Sequence, residues 1–221
     1  MVVFKNSGRP DFVPGHAMVL AAGLGLRMQP LTQNVPKPLL EVGGATMLDH
    51  ALDRLDDAGV ANVVVNTHWL PQQIEDHLER RKSPSIVISR EEDLLETGGG
   101  ITKALPLLGD APFYAANADV VWRDGTMPAL HRLAAAWEDD KMDALLLLAS
   151  TVRSTGYDGH GDFLMDPVGL LERRPERVVA PFVFTGVQIL HPRLFADAPD
   201  GPFSMNVLYD RALEAGRLFG I

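Results

Sequence analysis

From residue 17 onward the chain alternates between two rhythms of apolar residues. The run "AMVLAA" (17–22) is apolar without a break and stops at Gly23, which predicts a buried strand opening into a loop. "LLEV" (39–42) predicts a second short strand closed by Gly43 and Gly44. "TMLDHALDRLDDAG" (46–59) then changes period. Met47, Leu48, Ala51, Leu52, Leu55 and Ala58 recur at helical spacing, with Thr46 as N-cap and Gly59 as the stop. The β-branched run "NVVVNT" (62–67) predicts a strand, "LPQQIEDHLERRK" (70–82) an amphipathic helix with Pro71 in its first turn, and "SIVIS" (85–89) another strand. "LETGGGITKALPLL" (95–108) reads as a glycine-rich turn feeding a short helix, and "PFYAANADV" (112–120) as a buried strand with polar residues at its end. "TMPALHRLAAAWED" (126–139) reads as helix and "DALLLLAS" (143–150) as strand.

Strands alternating with helices of this length imply crossover connections, hence an α/β fold: a Rossmann-like three-layer sandwich with a mainly parallel mixed sheet. Ligands of such sheets sit beyond the carboxyl ends of the strands, so Gly23, Asn66, Thr67 and the 117–119 segment should converge there. The stretch 157–190 has short β-like runs broken by Gly and Pro, which predicts antiparallel hairpins over one side; a final helix follows in 203–216. Residues 1–16 read as a flexible leader and 17–221 as one domain.

Composition narrows the function classes. With 20 Lys and Arg against 29 Asp and Glu, the net charge is −9 and the cations form no long run, which argues against sequence-independent nucleic-acid binding. The chain has no cysteine, so disulfides and thiolate metal sites are excluded, and no apolar run approaches membrane-spanning length. The expectation is a cytoplasmic protein that meets any anion with a few placed cations, backbone amides or a metal.

Against that acidic background the loop 20–39 stands out. Glycines directly after a first strand suit a phosphate cradle, because Gly lets backbone N–H groups approach oxygen anions. The dinucleotide fingerprint G-x-G-x-x-G is absent, since Gly23 and Gly25 are followed by Met28, and no P-loop string occurs. Instead Arg27 is followed by Pro30 and a Pro36-Lys37-Pro38 bracket, and these prolines forbid regular helix while fixing the loop's shape.

"LAAGLGLRMQPLT" followed by "PKPLLEVGG" resembles the signature of the sugar-1-phosphate nucleotidyltransferases, the nucleotide-sugar pyrophosphorylases. The resemblance implies attack of a sugar 1-phosphate on the α-phosphorus of a nucleoside triphosphate, giving a nucleotide sugar and pyrophosphate. It implies that Arg27 neutralises the leaving pyrophosphate and that Lys37 meets the α-phosphate and the attacking phosphate. Leu20, Ala21, Ala22, Gly23, Gly25, Gly98 and Asn117 would complete the nucleotide site, and Asp119 in "ANADV" would bind Mg²⁺. Glu96, Asp162 and Gly186 become candidates for the sugar.

"LETGGG", "NTHWLPQQIEDHL", "GDF" (161–163) and "FTGVQILHPRLF" resemble more narrowly the N-acetylmuramate-1-phosphate uridylyltransferase branch, which serves peptidoglycan recycling; UTP and N-acetylmuramate 1-phosphate are then the implied substrates. Within the family, a mannose- or glucose-1-phosphate nucleotidyltransferase using GTP, UTP or dTTP is the alternative, and a non-catalytic nucleotide-sugar-binding regulatory domain is the alternative outside it. Three departures stand against the pattern. Gln29 occupies a position where the family commonly has Arg; the family's second metal-binding Asp, in a segment like W-x-D-V-G-T, does not occur, as in a truncated chain; and "ERRPERVVAP" is rich in arginine. Arg173 or Arg174 could meet the lactyl carboxylate of a muramyl sugar, or be solvated hairpin charges. His68, His131 and His191 lack paired ligand spacing and read as structural, with Trp69 and Trp137 as packing residues.

Overall fold

The computed structural model describes residues 10, 12–154 and 157–221. In chain order, β1 (His16–Leu20) leads through two 3₁₀ turns, Leu26–Met28 and Lys37–Leu39, to the strands β2 (Glu41–Val42) and β3 (Ala45–Thr46). There follow α1 (Met47–Ala58), β4 (Asn62–Thr67), α2 (Pro71–Leu78), β5 (Ser85–Arg90), α3 (Glu96–Leu108), β6 (Phe113–Asn117), α4 (Ala129–Ala136) and β7 (Ala144–Ser150). The remainder is β8 (Phe163–Met165), β9 (Leu171–Arg173), β10 (Phe182–Leu190), α5 (Asn206–Glu214) and β11 (Leu218–Gly220).

The main sheet has the order β11-β7-β10-β6-β1-β4-β5, with the β8–β9 hairpin attached to β10. β1 pairs in parallel with both β4 and β6, and β10 runs antiparallel to its neighbours β6 and β7. Period-two alternation divides the core. Ala17 and Val19 of β1 face α1, α2 and α4 through Leu48, Leu52, Leu55, Ile74 and Leu133, whereas Met18 faces α3 and α5 through Ile101, Leu108 and Leu208. This is the expected three-layer mixed sheet.

Several elements differ from the sequence reading. The glycine-rich segment is not a turn: α3 begins at Glu96 and carries Gly98, Gly99 and Gly100 in its first turns. Close packing explains why. A Cβ on Gly98 would stand 2.2 Å from the Phe203 ring, one on Gly99 2.4 Å from the Gly201 carbonyl oxygen, and one on Gly100 2.7 Å from Glu91 Oε1. The weak helix propensity of glycine is outweighed by an approach that no larger residue permits. "LLEV" contributes only β2, which pairs with β3 in a ribbon outside the main sheet; both intervening glycines have positive φ. The last residues, given no element in advance, form β11 in parallel with β7. Of the expected leader, residues 1–9 and 11 lie outside the described residues. Val13 packs against the core, and the Gly15 carbonyl accepts hydrogen bonds from the backbone N–H groups of Ala61 and Asn62.

Candidate functional site

The site is built where β1, β4 and β6 end together. Ala21 and Ala22 continue the buried line of β1, after which Gly25 turns the chain at φ +65°, a left-handed conformation that Gly adopts without strain. Its carbonyl accepts from the Thr32 hydroxyl at 2.8 Å and from the Met28 N–H at 3.0 Å, so the loop is closed on itself. The 3₁₀ turn places Arg27 exposed beside the resulting cavity. Pro36 and Pro38 are buried and hold the half-buried Lys37 between them, with its carbonyl capped by the Leu40 N–H. On β6, the Ala118 N–H donates to the Leu20 carbonyl at 3.0 Å, which locks the strand end and leaves Asp119 projecting. Lys37 Nζ donates to Asp119 Oδ2 in an ion pair that spans the two segments.

These groups border one cavity of about 610 Å³. Leu20, Ala21, Ala22, Gly23 and Gly25 line it, together with Arg27, Lys37, Asn117 and Asp119. Of the predicted sugar contacts, Glu96 lies in the wall beside Thr97. Gly186 (φ +83°) backs against Asn117, where a Cβ would meet Asn117 Nδ2 at 2.6 Å. Gly186 is thus behind the lining rather than in it, and the structure does not bring two further candidates into it either. Gly98 is buried beneath it, against Phe203, and donates its N–H to the Phe203 carbonyl at 2.8 Å. The Asp162 carboxylate accepts from the Phe184 N–H at 2.9 Å, bracing β10 beside its bulge.

The hairpin arginines are both engaged. Arg173 donates to Asp210 at 2.8 Å and to Asn206 at 3.0 Å while lying over the Phe163 ring; Arg174 donates to the carbonyls of Gly161, Pro175 and Val178. These pairings favour a structural role. His68 likewise binds the Glu91 carbonyl and Trp69 the Thr32 carbonyl. His191 accepts from the Arg193 N–H, and burial together with the nearby Arg193 charge holds its pKa below the usual histidine value.

One group escaped the sequence reading. Glu91 is buried, accepts from Asn66 Nδ2 at 2.7 Å and from the Leu95 N–H at 3.0 Å, while Asn66 Oδ1 accepts from the Ala21 N–H at 2.7 Å. One carboxylate thus joins the ends of β1 and β4 to the start of α3. Its only sequence signal is a position just after a strand, among other acidic residues.

Among the described residues, no group of three or more His, Asp and Glu side chains converges as a metal cage. Of the two acidic residues among the described residues in the cavity lining, Asp119 stands at the strand end beside Lys37, and Glu96 opens α3. This donor set fits a Mg²⁺ ion that keeps several waters and takes its remaining ligands from substrate phosphates. Chemically, the site offers two cations, a glycine loop and a hard anionic ligand at the strand end: equipment for a polyphosphate and a second anion.

The chain is similar to known proteins in sequence and in fold. The family model described as "Nucleotidyl transferase" matches residues 16–158. The N-acetylmuramate alpha-1-phosphate uridylyltransferase of Caulobacter vibrioides is 46% identical over 94% of this chain and 88% of its own length. The protein of the same name from Neisseria meningitidis is 38% identical over 81% of this chain and 76% of its own. A UDP-glucose pyrophosphorylase solved with UDP-glucose superposes with a TM-score of 0.76 over 95% of this chain and 90% of that one, at 15% identity, a likeness of fold. With the glycine loop, the proline-bracketed lysine and the strand-end aspartate around one cavity, the chain belongs to the nucleotidyl transferase family.

Proposed function

We propose that this enzyme condenses UTP with N-acetylmuramate 1-phosphate to give the UDP-sugar and pyrophosphate. The observation that carries the reading is the gathering of Arg27, Lys37 and Asp119 around a single cavity at the strand ends. The similarity to two named uridylyltransferases over most of their length supports the choice of nucleotide and sugar.

The attacking phosphate is already an anion at neutral pH, so no base is required. Its oxygen forms a bond to the α-phosphorus while the bond from that phosphorus to the bridging oxygen of pyrophosphate breaks. The obstacle is the repulsion of two anions, and fixed positive charge lowers it without reorganisation during the reaction. In this reading Lys37 meets the α-phosphate and the incoming phosphate, Arg27 the departing pyrophosphate, and the amides around Gly23 and Gly25 the β and γ oxygens. Mg²⁺ held by Asp119 would supply charge neutralisation at the phosphates. The buried Asn66–Glu91 link keeps the loop in register with α3. A cytoplasmic location, where the nucleoside triphosphate is available, is part of the proposal.

Mass spectrometry of a reaction with UTP, Mg²⁺ and N-acetylmuramate 1-phosphate should detect the UDP-sugar, and a UTP made chiral at the α-phosphorus should give inverted product. Retention of configuration would require an enzyme-bound intermediate and reject direct attack.

A further inference from the structure

The cavity opens into a side recess of about 160 Å³ between β10 and α5, with which it shares Leu20, Thr97, Asn117 and Ser204. A space of this size holds roughly one benzene molecule, too little for a pyranose ring with its hydroxyls but enough for one substituent of a sugar. Thr97, Asn117, Ser204 and Asn206 contribute polar edges, and the polar group buried deepest in the lining is Gln188, a residue of β10 only 2% exposed. The Tyr209 hydroxyl donates to Gln188 Oε1 at 2.7 Å, which orients the carboxamide. Burial pushes the Tyr209 phenol well above its usual pKa, so it remains a neutral donor. Gln188 Nε2 has no protein partner among the described residues and is left to the recess.

The rest of the lining decides what that N–H can bind. Leu20, Phe184 and Met205 supply apolar walls. The nearby Arg173 is paired with Asp210 and Asn206, so among the described residues no uncompensated cation lines the recess. A carboxylate entering would lose water with only neutral amides and hydroxyls in exchange. A bare hydroxyl would leave the apolar walls empty. An acetamido group matches both features: its carbonyl oxygen accepts from Gln188 Nε2 and its methyl covers the apolar wall.

We infer that Gln188, oriented by Tyr209, is a specificity-determining residue that selects 2-acetamido sugars over 2-hydroxy sugars. This rests on reading the larger cavity as the nucleotide and sugar-phosphate site. Because a buried donor left unpaired is costly, the selection amounts to about 10- to 100-fold.

Calorimetric titration of the whole chain with UDP-N-acetylglucosamine and UDP-glucose tests this without requiring turnover. The wild type should prefer the acetamido sugar. Gln188→Leu should weaken UDP-N-acetylglucosamine by about 10- to 100-fold and UDP-glucose by less than about threefold. Tyr209→Phe, which keeps Gln188 but frees its orientation, should reduce the preference by about three- to tenfold, and decides the matter if Gln188→Leu does not fold. No preference in the wild type, or equal weakening of both ligands by the variants, overturns the assignment. Pyrophosphate release measured on the same samples separates the two readings. A preference that falls in the variants without any turnover rejects the enzyme but keeps the recess, and turnover without preference does the reverse.

Discussion

Lys37 and Asp119 stand 82 residues apart in sequence and form an ion pair at the cavity, joining the proline-bracketed loop to the end of β6. Their side chains are 23% and 34% exposed, so the pair is screened and adds little to stability. In the proposed reaction the two partners separate, one to phosphate and the other to the metal. Lys37→Ala and Asp119→Ala should therefore each lower kcat by about 10²- to 10³-fold. Melting temperature should move by less than about 4 °C, since a partly exposed pair contributes at most about 1 kcal/mol. Single-turnover kinetics and calorimetric nucleotide binding separate these effects; unchanged turnover in either variant rejects that residue's role.

Gly25 holds the loop by a conformation rather than by a side chain. At φ +65°, a Cβ would stand 3.0 Å from Thr32 Cγ2 and 3.2 Å from Lys37 Cβ. Gly25→Ala should cost about 1–2 kcal/mol through backbone strain, and it should raise KM for the triphosphate by displacing Lys37. Urea denaturation and steady-state kinetics on one preparation measure both. Gly125, with open space around it and no positive φ, supplies the control: Gly125→Ala should leave both unchanged.

Gly100 faces the buried link between Asn66 and Glu91. A Cβ there would meet Glu91 Oε1 at 2.7 Å and Asn66 Nδ2 at 2.9 Å. Gly100→Ala should destabilise the chain by about 1–3 kcal/mol through overpacking. Because Asn66 also holds the Ala21 N–H, nucleotide affinity should fall as well. Loss of stability with full affinity in the folded fraction would show that the link does not position the loop.

Asp49 caps α1 reciprocally with Thr46 and accepts from His77 at 2.9 Å and Arg81 at 3.2 Å, fastening α2 to α1. Burial alone would raise its pKa, but the Thr46 and His77 hydrogen bonds and the His77 and Arg81 charges outweigh it and hold the carboxyl below the ordinary aspartate value. A depressed folded-state pKa stabilises the fold above the unfolded value, and that stability is lost as pH falls through the folded value. Asp49→Asn should cost about 1–2 kcal/mol at neutral pH, a gap that persists down to about pH 5 and closes below about pH 4. Denaturant midpoints of both proteins across that range provide the check.

The residues that disclosed the fold were those with a strong period. Leu48, Leu52 and Leu55 on α1 and the apolar run of β1 could be read directly, because one helix face and a strand buried on both sides leave plain patterns. The triglycine was misread because local propensity argues against helix there. What overrides propensity is contact with Phe203, Gly201 and Glu91, distant or unmarked in sequence. That Arg27, Lys37 and Asp119 gather at one cavity could be anticipated from the family resemblance of the loop 20–39 and of "ANADV", and from the rule that ligands sit beyond the carboxyl ends of parallel strands. Glu91 and Gln188 could not, since each acquires its significance only from a partner that folding brings to it: Asn66 for one and Tyr209 for the other.

Pyrophosphate release by the purified chain with Mg²⁺, across a matrix of nucleoside triphosphates and sugar 1-phosphates, tests the central claim most directly. The account predicts the highest kcat/KM for UTP with N-acetylmuramate 1-phosphate. Faster turnover of GTP with mannose 1-phosphate would contradict the substrate assignment, and absence of pyrophosphate with every pair, while nucleotide still binds, would contradict catalysis itself.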